Sequence, residues 1–198
     1  MRQKVMFIVP YALWIILFVV APLALIFYQS FFDINSHFTL ANYQDYLTSP
    51  TYLKMTLNSV WYAALITVVT LVISYPTAYV LTQLQNRQFW LLIVILPTWI
   101  NLLLKTYAFI GLFSRTGSIN QFLRFVGLGS HQLLFTDASF MFVAAYIEIP
   151  FMVLPIYNAL IEINPSLSNA SKDLGATSWQ TFRRIVFPLS MPGVKAGI

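Results

Sequence analysis

Of the 198 residues, 59% are hydrophobic and only 9% are charged, eleven Lys or Arg against six Asp or Glu. A water-soluble domain carries roughly 25% charged residues, so this chain cannot clothe a soluble globule of its size, and it is too apolar to remain disordered. The net charge of +5 is not gathered into a basic cluster interleaved with aromatics, which argues against a nucleic-acid partner, and the absence of cysteine excludes disulfides, thiolate metal sites and cysteine nucleophiles.

A bilayer core about 30 Å thick is crossed by a helix of about 20 apolar residues. The first apolar run, about 5–28, follows Arg2 and Lys4. It is longer than the roughly 7–15 residues of a signal-peptide core, so it reads as a retained helix. Pro10 and Pro22 sit near its ends, where proline interferes least. Residues 29–55 are polar and aromatic. A second span is expected at about 57–83, with Pro76 inside, and Arg87 marks a short connection to a third at about 89–113, which contains Pro97 and Lys105. A loop with Arg115, Gly117, Arg124 and His131 precedes a fourth span, about 138–160, which contains Glu148, Pro150 and Pro155. Beyond 161 the chain turns polar and basic.

Stretches such as 68–73 and 91–96 are continuously apolar, unlike the alternating strands of a β-barrel. The expected fold is therefore an all-α integral membrane protein with four transmembrane helices in residues 1–161, followed by a segment 162–198. Arg2, Lys4, Arg87, Lys172, Arg183, Arg184 and Lys195 fall on one side, against Lys54, Arg115 and Arg124 on the other. By the positive-inside rule the chain is multi-pass with a cytoplasmic N terminus.

Ionisable residues inside a span are expensive and are candidates for function. Lys105 and Glu148 lie in spans three and four, where antiparallel neighbours could bring them together. Two readings stand side by side: a structural ion pair or a snorkelling lysine, and a polar pathway in which Glu148 attracts a cation. Pro76, Pro97, Pro150 and Pro155 interrupt three spans, an irregularity that neighbouring helices or a wet cavity must satisfy. Trp99, Tyr107, Tyr146 and Tyr157 lie in the same two spans; packing accounts for such aromatics in general, and cation–π contact with a cationic substrate is the functional reading. His37 and His131 have no evident partner. No metal-spaced cluster, Walker loop or nucleophile motif occurs, so the chain is not expected to be an enzyme, to hold a metal or cofactor, or to hydrolyse nucleotide itself.

The tail is the most informative segment. Asn164-Pro165 reads as an N-cap followed by proline at the first helical position, and a short helix 165–174 should stop at Gly175, a left-handed cap. Thr177 and Gln180 have capping-box spacing and should open a second short helix that ends before Pro188. Trp179, Phe182 and Val186 share one face of it. The resulting helix–turn–helix is expected to lie against the cytoplasmic membrane surface, as an interfacial anchor or as a docking element for a partner.

At Asn169-Ala170-Ser171, Gly175 and Ile185-Val186-Phe187-Pro188 the tail resembles the cytoplasmic signature of ABC importer permeases: Glu-Ala-Ala, three residues, Gly, nine residues, Ile, one residue, Leu-Pro. Both spacings hold; Asn169, Ser171 and Phe187 depart from the pattern, and Pro192-Gly193 resembles its continuation. The resemblance implies a type I ABC importer permease fold and a coupling segment that inserts into an ATPase, with Asn169, Ala170, Ser171, Asp173, Gly175, Ile185 and Pro188 as its residues. The finer resemblance is to B-type permeases of spermidine/putrescine transporters. It rests on 38–43 (FTLANY), 75–79 (YPTAY), 97–101 (PTWIN) and 150–155 (PFMVLP). Importer permeases for iron, sulfate or sugars share much of this framework, and a non-transport assembly or sensor subunit is the competing class. The family implies about six spans, so 162–198 would hold the coupling segment and the start of a fifth helix, the chain reading as C-terminally truncated. It also implies a second permease subunit, an ATPase dimer that carries the ATP, an extracytoplasmic substrate-binding protein, a polyamine substrate, membrane lipid and a bacterial inner-membrane location.

Overall fold

The first apolar run folds as two helices, α1 (Arg2–Ile15) and α2 (Ala21–Gln29), joined without a break by a π-helical turn at Ile16–Val20. The turn stands directly before Pro22, and the Ala21 amide donates to the carbonyl of Ile16, five residues back. A proline ring clashes with the carbonyl four residues earlier, and the wider π turn gives it room without ending the helix. The computed structural model describes the backbone of residues 2–33 and 37–198, and the side chains of 8–33 and 37–198. The side chains of Arg2 and Lys4, counted above toward orientation, lie outside the described residues. The chain divides into two units, Met1–Val60 and Trp61–Ile198.

In the first unit, α2 leads into a turn closed by an antiparallel bridge between Phe32 and Phe38. The Asn42 side-chain amide donates to the carbonyls of Ser30 (3.0 Å) and Phe32 (3.1 Å), and the Tyr43 and Ser30 hydroxyls lie 2.6 Å apart. These bonds seat α3 (Ala41–Thr48) on the turn. Ser49 is extended, and Pro50 then opens α4 (Pro50–Gln83) at a position that needs no amide donor. The second span's helix thus begins at Pro50 rather than near 57, taking in Lys54.

In the second unit, α4 carries its hydroxyls by bonding them to its own carbonyls: Thr67 to Ala63 (2.8 Å), Thr70 to Ile66 (2.7 Å) and Thr77 to Ile73 (2.7 Å). In an apolar surrounding that removes the cost of an unsatisfied donor. Ser74, fully buried, instead reaches across to the carbonyl of Ile149 at 3.4 Å.

The expected third span, 89–113, is not one helix. It is α5 (Arg87–Ile95), a 3-10 turn (Leu96–Trp99) and α6 (Leu102–Phe113), with a bend of 89° at the break. Pro97 tightens the turn, Ile100 is extended, and the Asn101 side chain accepts the Leu103 amide at 2.8 Å, capping a new helix. Among the described residues three helices are long and apolar enough to cross a membrane, or four if the bent pair is one span.

After α7 (Ser118–Phe125), α8 (Asp137–Ile161) starts on a capping box between Thr136 and Ser139 and ends close to the expected 160. Two short helices follow, α9 (Pro165–Asp173) and α10 (Ser178–Thr181). The expectation of a helix ending before Pro188 fails: α10 continues through a second π turn, Phe182–Val186, into α11 (Phe187–Gly197). The Phe187 amide donates to Phe182, the same five-residue reach seen before Pro22. The end of the tail therefore packs along α8.

The core lies between the later halves of α4 and α8 and this returning α11. Ala78, Leu81, Met152, Val153, Ile156, Tyr157, Leu160 and Val194 form one buried cluster. Gly193 sets how closely α11 approaches: a Cβ there would stand 2.5 Å from the Pro155 carbonyl oxygen and 2.6 Å from the Ala159 Cβ. Four residues on, a Cβ at Gly197 would stand 2.7 Å from the Met152 sulfur. Small residues one helical turn apart are how membrane helices bring their backbones together. Gly193→Leu should lower the thermal-unfolding midpoint in detergent, the overpacking costing about 1–3 kcal/mol or more. Leu at Gly111, where an added Cβ meets nothing within 4 Å, should be far milder.

Candidate functional site

The tail forms a rigid knuckle. The Asn164 side chain accepts the Ser166 amide at 3.0 Å, Pro165 opens α9, and Gly175 ends the turn with φ +82°. Only glycine enters that region without steric cost. Thr177 and Gln180 close the expected capping box, at 3.3 Å and 2.9 Å. The Ser171 and Thr181 hydroxyls, 3.0 Å apart, tie α9 to the helix that follows.

α9 has two faces. Pro165, Ser168, Asn169 and Lys172 line a cleft of about 630 Å³, which the ends of α4 and α8 also line. Ser166, Leu167, Ala170, Asp173 and Leu174 follow the opposite helical face, and all are exposed, Leu174 at 89%. The seven coupling candidates are thus divided. Ala170, Asp173 and Gly175 are presented outward, Ser171 holds the knuckle together, and Asn169 turns into the cleft. Ile185 is half-buried in the π turn, and Pro188 is exposed just after it. Sequence reasoning missed Leu167 and Leu174; an exposed leucine beside a left-handed glycine was the available signal.

A second omission is the seam joining this tail to α4. The Phe182 ring meets Tyr75 (5.9 Å between centroids), Tyr79 (5.3 Å), Trp179 (5.5 Å) and Phe187 (6.2 Å). The Tyr75 hydroxyl lies 2.7 Å from the fully buried Ser190 hydroxyl, which itself donates to the Phe187 carbonyl at 2.9 Å. Trp179, Phe182 and Val186 therefore serve an internal seam, with only Trp179 largely exposed.

Lys105 and Glu148 are not joined. Among the described residues the one ion pair is His37 with Asp33, at 3.9 Å. Lys105 is buried at 8% exposure, and among the described residues no sealed side-chain nitrogen or oxygen lacks a hydrogen-bond partner, so its ammonium keeps contact with accessible space. Glu148 lies on an exposed stripe of α8 with Phe151, Leu154 and Asn158, opposite the core face. Of the aromatic candidates, Trp99 (76%) and Tyr107 (70%) are exposed, Tyr146 packs edge-on against Phe109 at 5.1 Å, and Tyr157 belongs to the core. Both histidines have partners: the His131 ring nitrogen Nε2 lies 2.9 Å from the Leu128 carbonyl, and its amide donates to Asn120.

Comparison with known proteins decides the family. The chain is 36% identical over 194 residues to the spermidine/putrescine transport system permease protein PotB of Escherichia coli (strain K12), covering 93% of this chain and 70% of that protein. It belongs to the ABC importer permeases. A Haemophilus influenzae PotB is 33% identical over 93% of the permease and 68% of the relative, and the Escherichia coli inner membrane ABC transporter permease protein YdcU is 32% identical over 83% and 58%. The crystal structure of a bacterial ABC transporter involved in the import of the acidic polysaccharide alginate superposes with a TM-score of 0.82, over 98% of the permease and 69% of that chain. At 18% identity that likeness speaks for the fold alone. No family model matches the permease.

The seam can be tested by a double-mutant cycle. Tyr75→Phe and Ser190→Ala should each lower thermal stability, by about 1 kcal/mol for the hydrogen bond. The double variant should lose less than the two effects combined.

Proposed function

We propose that this permease is one of two membrane subunits of a polyamine importer in a bacterial inner membrane, with its N terminus and the α9–Gly175 knuckle in the cytoplasm. A cytoplasmic ATPase dimer docks on the knuckle and carries the ATP, and an external binding protein delivers substrate. The observation that carries the docking is the outward face of α9, where Leu167, Ala170, Asp173 and Leu174 surround a rigid reversal at Gly175. Small Ala170 permits close approach, and the Ser171–Thr181 link keeps the element from yielding under load. The related proteins named as spermidine/putrescine permeases support the substrate class.

The exposed stripe on α8 supports the pathway. A carboxylate on a lipid-facing surface at mid-helix is costly, so Glu148 and Asn158 face the second permease subunit across a wet route. A polycation crossing there meets Glu148, and Trp99 and Tyr107 offer exposed ring faces for cation–π contact. The Lys105 ammonium repels such a substrate and serves at the edge of the route as a snorkelling group. Tyr146 and Tyr157 act through packing.

Uptake of labelled spermidine and putrescine, by the complete transport system in a transport-deficient cell, tests the substrate class; uptake of sulfate with neither polyamine would overturn it. Glu148→Gln should lower polyamine uptake with the complex still assembled, and unchanged uptake kinetics would reject its role. At the knuckle, Gly175→Val should abolish ATP-driven uptake, since a β-branched residue at φ +82° is strained. Gly175→Asn, which tolerates that conformation, should retain much of it. Normal coupling in the valine variant would remove the knuckle from the mechanism.

A further inference from the structure

The cleft behind α9 has no part in the docking just proposed. Its lining includes Arg87 and Lys172 and no acidic residue; Glu162, between two lining residues, is not part of it. Neither cation has an ion-pair partner among the described residues, so two positive charges share one concavity without neutralisation. The remaining lining is of two kinds. Leu160, Ile163 and Val186 form an apolar wall, while Gln83, Asn169 and Ser178 offer hydrogen-bond donors.

The ends of membrane helices fix where this cleft stands. Gln83 closes α4, Arg87 opens α5 and Ile161 closes α8, and all three line it. That is the level at which a phospholipid passes from phosphate to acyl chain. Basic pockets between membrane helices at this level recognise anionic headgroups, each Lys or Arg contributing about 1 kcal/mol. We propose that the cleft binds an anionic phospholipid, Arg87 and Lys172 holding its phosphate and the wall of Leu160, Ile163 and Val186 covering the first part of an acyl chain. Inorganic phosphate would satisfy the cations and leave that wall wet, which is why the lipid is favoured over the free ion. The permease topology proposed above decides only which leaflet supplies the lipid.

The test uses the purified transport complex in nanodiscs of phosphatidylcholine, with and without phosphatidylglycerol, and counts retained phosphatidylglycerol by mass spectrometry. The wild-type complex should retain it selectively. Lys172→Gln should weaken retention about fivefold and the double variant Arg87→Gln/Lys172→Gln about thirtyfold. The charge-conserving Arg87→Lys/Lys172→Arg should keep it, and serves as the reference for folding. Inorganic phosphate added at millimolar concentration to phosphatidylcholine discs should give no thermal stabilisation. Equal retention by the wild type and either Gln variant would overturn the proposal, as would stabilisation by phosphate alone. Uptake is not a readout, so a failure of the polyamine reading leaves this result standing.

Discussion

The close approach of α11 to α8 at Gly193 is the contact on which the rest of the second unit depends. The chain leaves α8 at Ile161, makes the knuckle, and returns along the same helix, so the loop carrying Gly175 is anchored at both ends on α8. If Gly193 were larger, the returning helix would stand off from Pro155. Val194 would then leave the buried cluster, and Ser190 would be drawn away from Tyr75. The knuckle would remain capped but would no longer be held against the bundle. Local capping makes the turn, and the glycine contact gives it a rigid base.

Proline shows why the helix ends were only partly legible. The capping signals were read correctly where they are local: Asn164-Pro165, Gly175 and the Thr177–Gln180 box all stand where their chemistry requires. Pro188 was misread as a stop. In a helix held on both sides by tertiary contacts, a single π turn relieves the clash between ring and preceding carbonyl, and the Tyr75–Phe182–Phe187 seam supplies those contacts. Pro22 follows a π turn in the same way. Nothing in the local pattern distinguishes a proline that ends a helix from one accommodated by widening the turn before it. At Pro188 the packing of residues far apart in the chain holds the widened turn, whereas at Pro22 the turn widens in a helix that buries none of its described residues.

The third apolar segment is bent rather than straight, for the opposite reason. Its apolar run is long enough to cross, and hydropathy treats 89–113 as one segment. Yet Pro97 and Asn101 stand four residues apart, one closing a helix and the other capping the next, and together they outweigh a continuous apolar pattern. The asparagine signal was in the sequence, hidden by the apolar residues around it. The pairing imagined for Lys105 and Glu148 fails too, because sharing neighbouring spans says nothing about which way two side chains face once one span is bent by 89°.

α8 then has three different duties on three surfaces. Its core face, from Ala145 to Leu160, packs on α4 and α11; its outward stripe carries Glu148 and Asn158; and its C-terminal end leads into the knuckle. In the proposed transporter, a push on the knuckle reaches α8 twice: through the short connection at Glu162–Asn164 and through the backbone contact of Gly193 with Pro155. A connection of so few residues could flex on its own. A backbone-to-backbone contact with no side chain between cannot take up the movement by changing rotamers, so displacement passes into α8 as a rigid shift. The stripe bearing Glu148 lies on that same helix and has to move with it. Coupling between partner and pathway then needs no long chain of side chains, because the knuckle bears on α8 at both its ends and α8 carries the stripe.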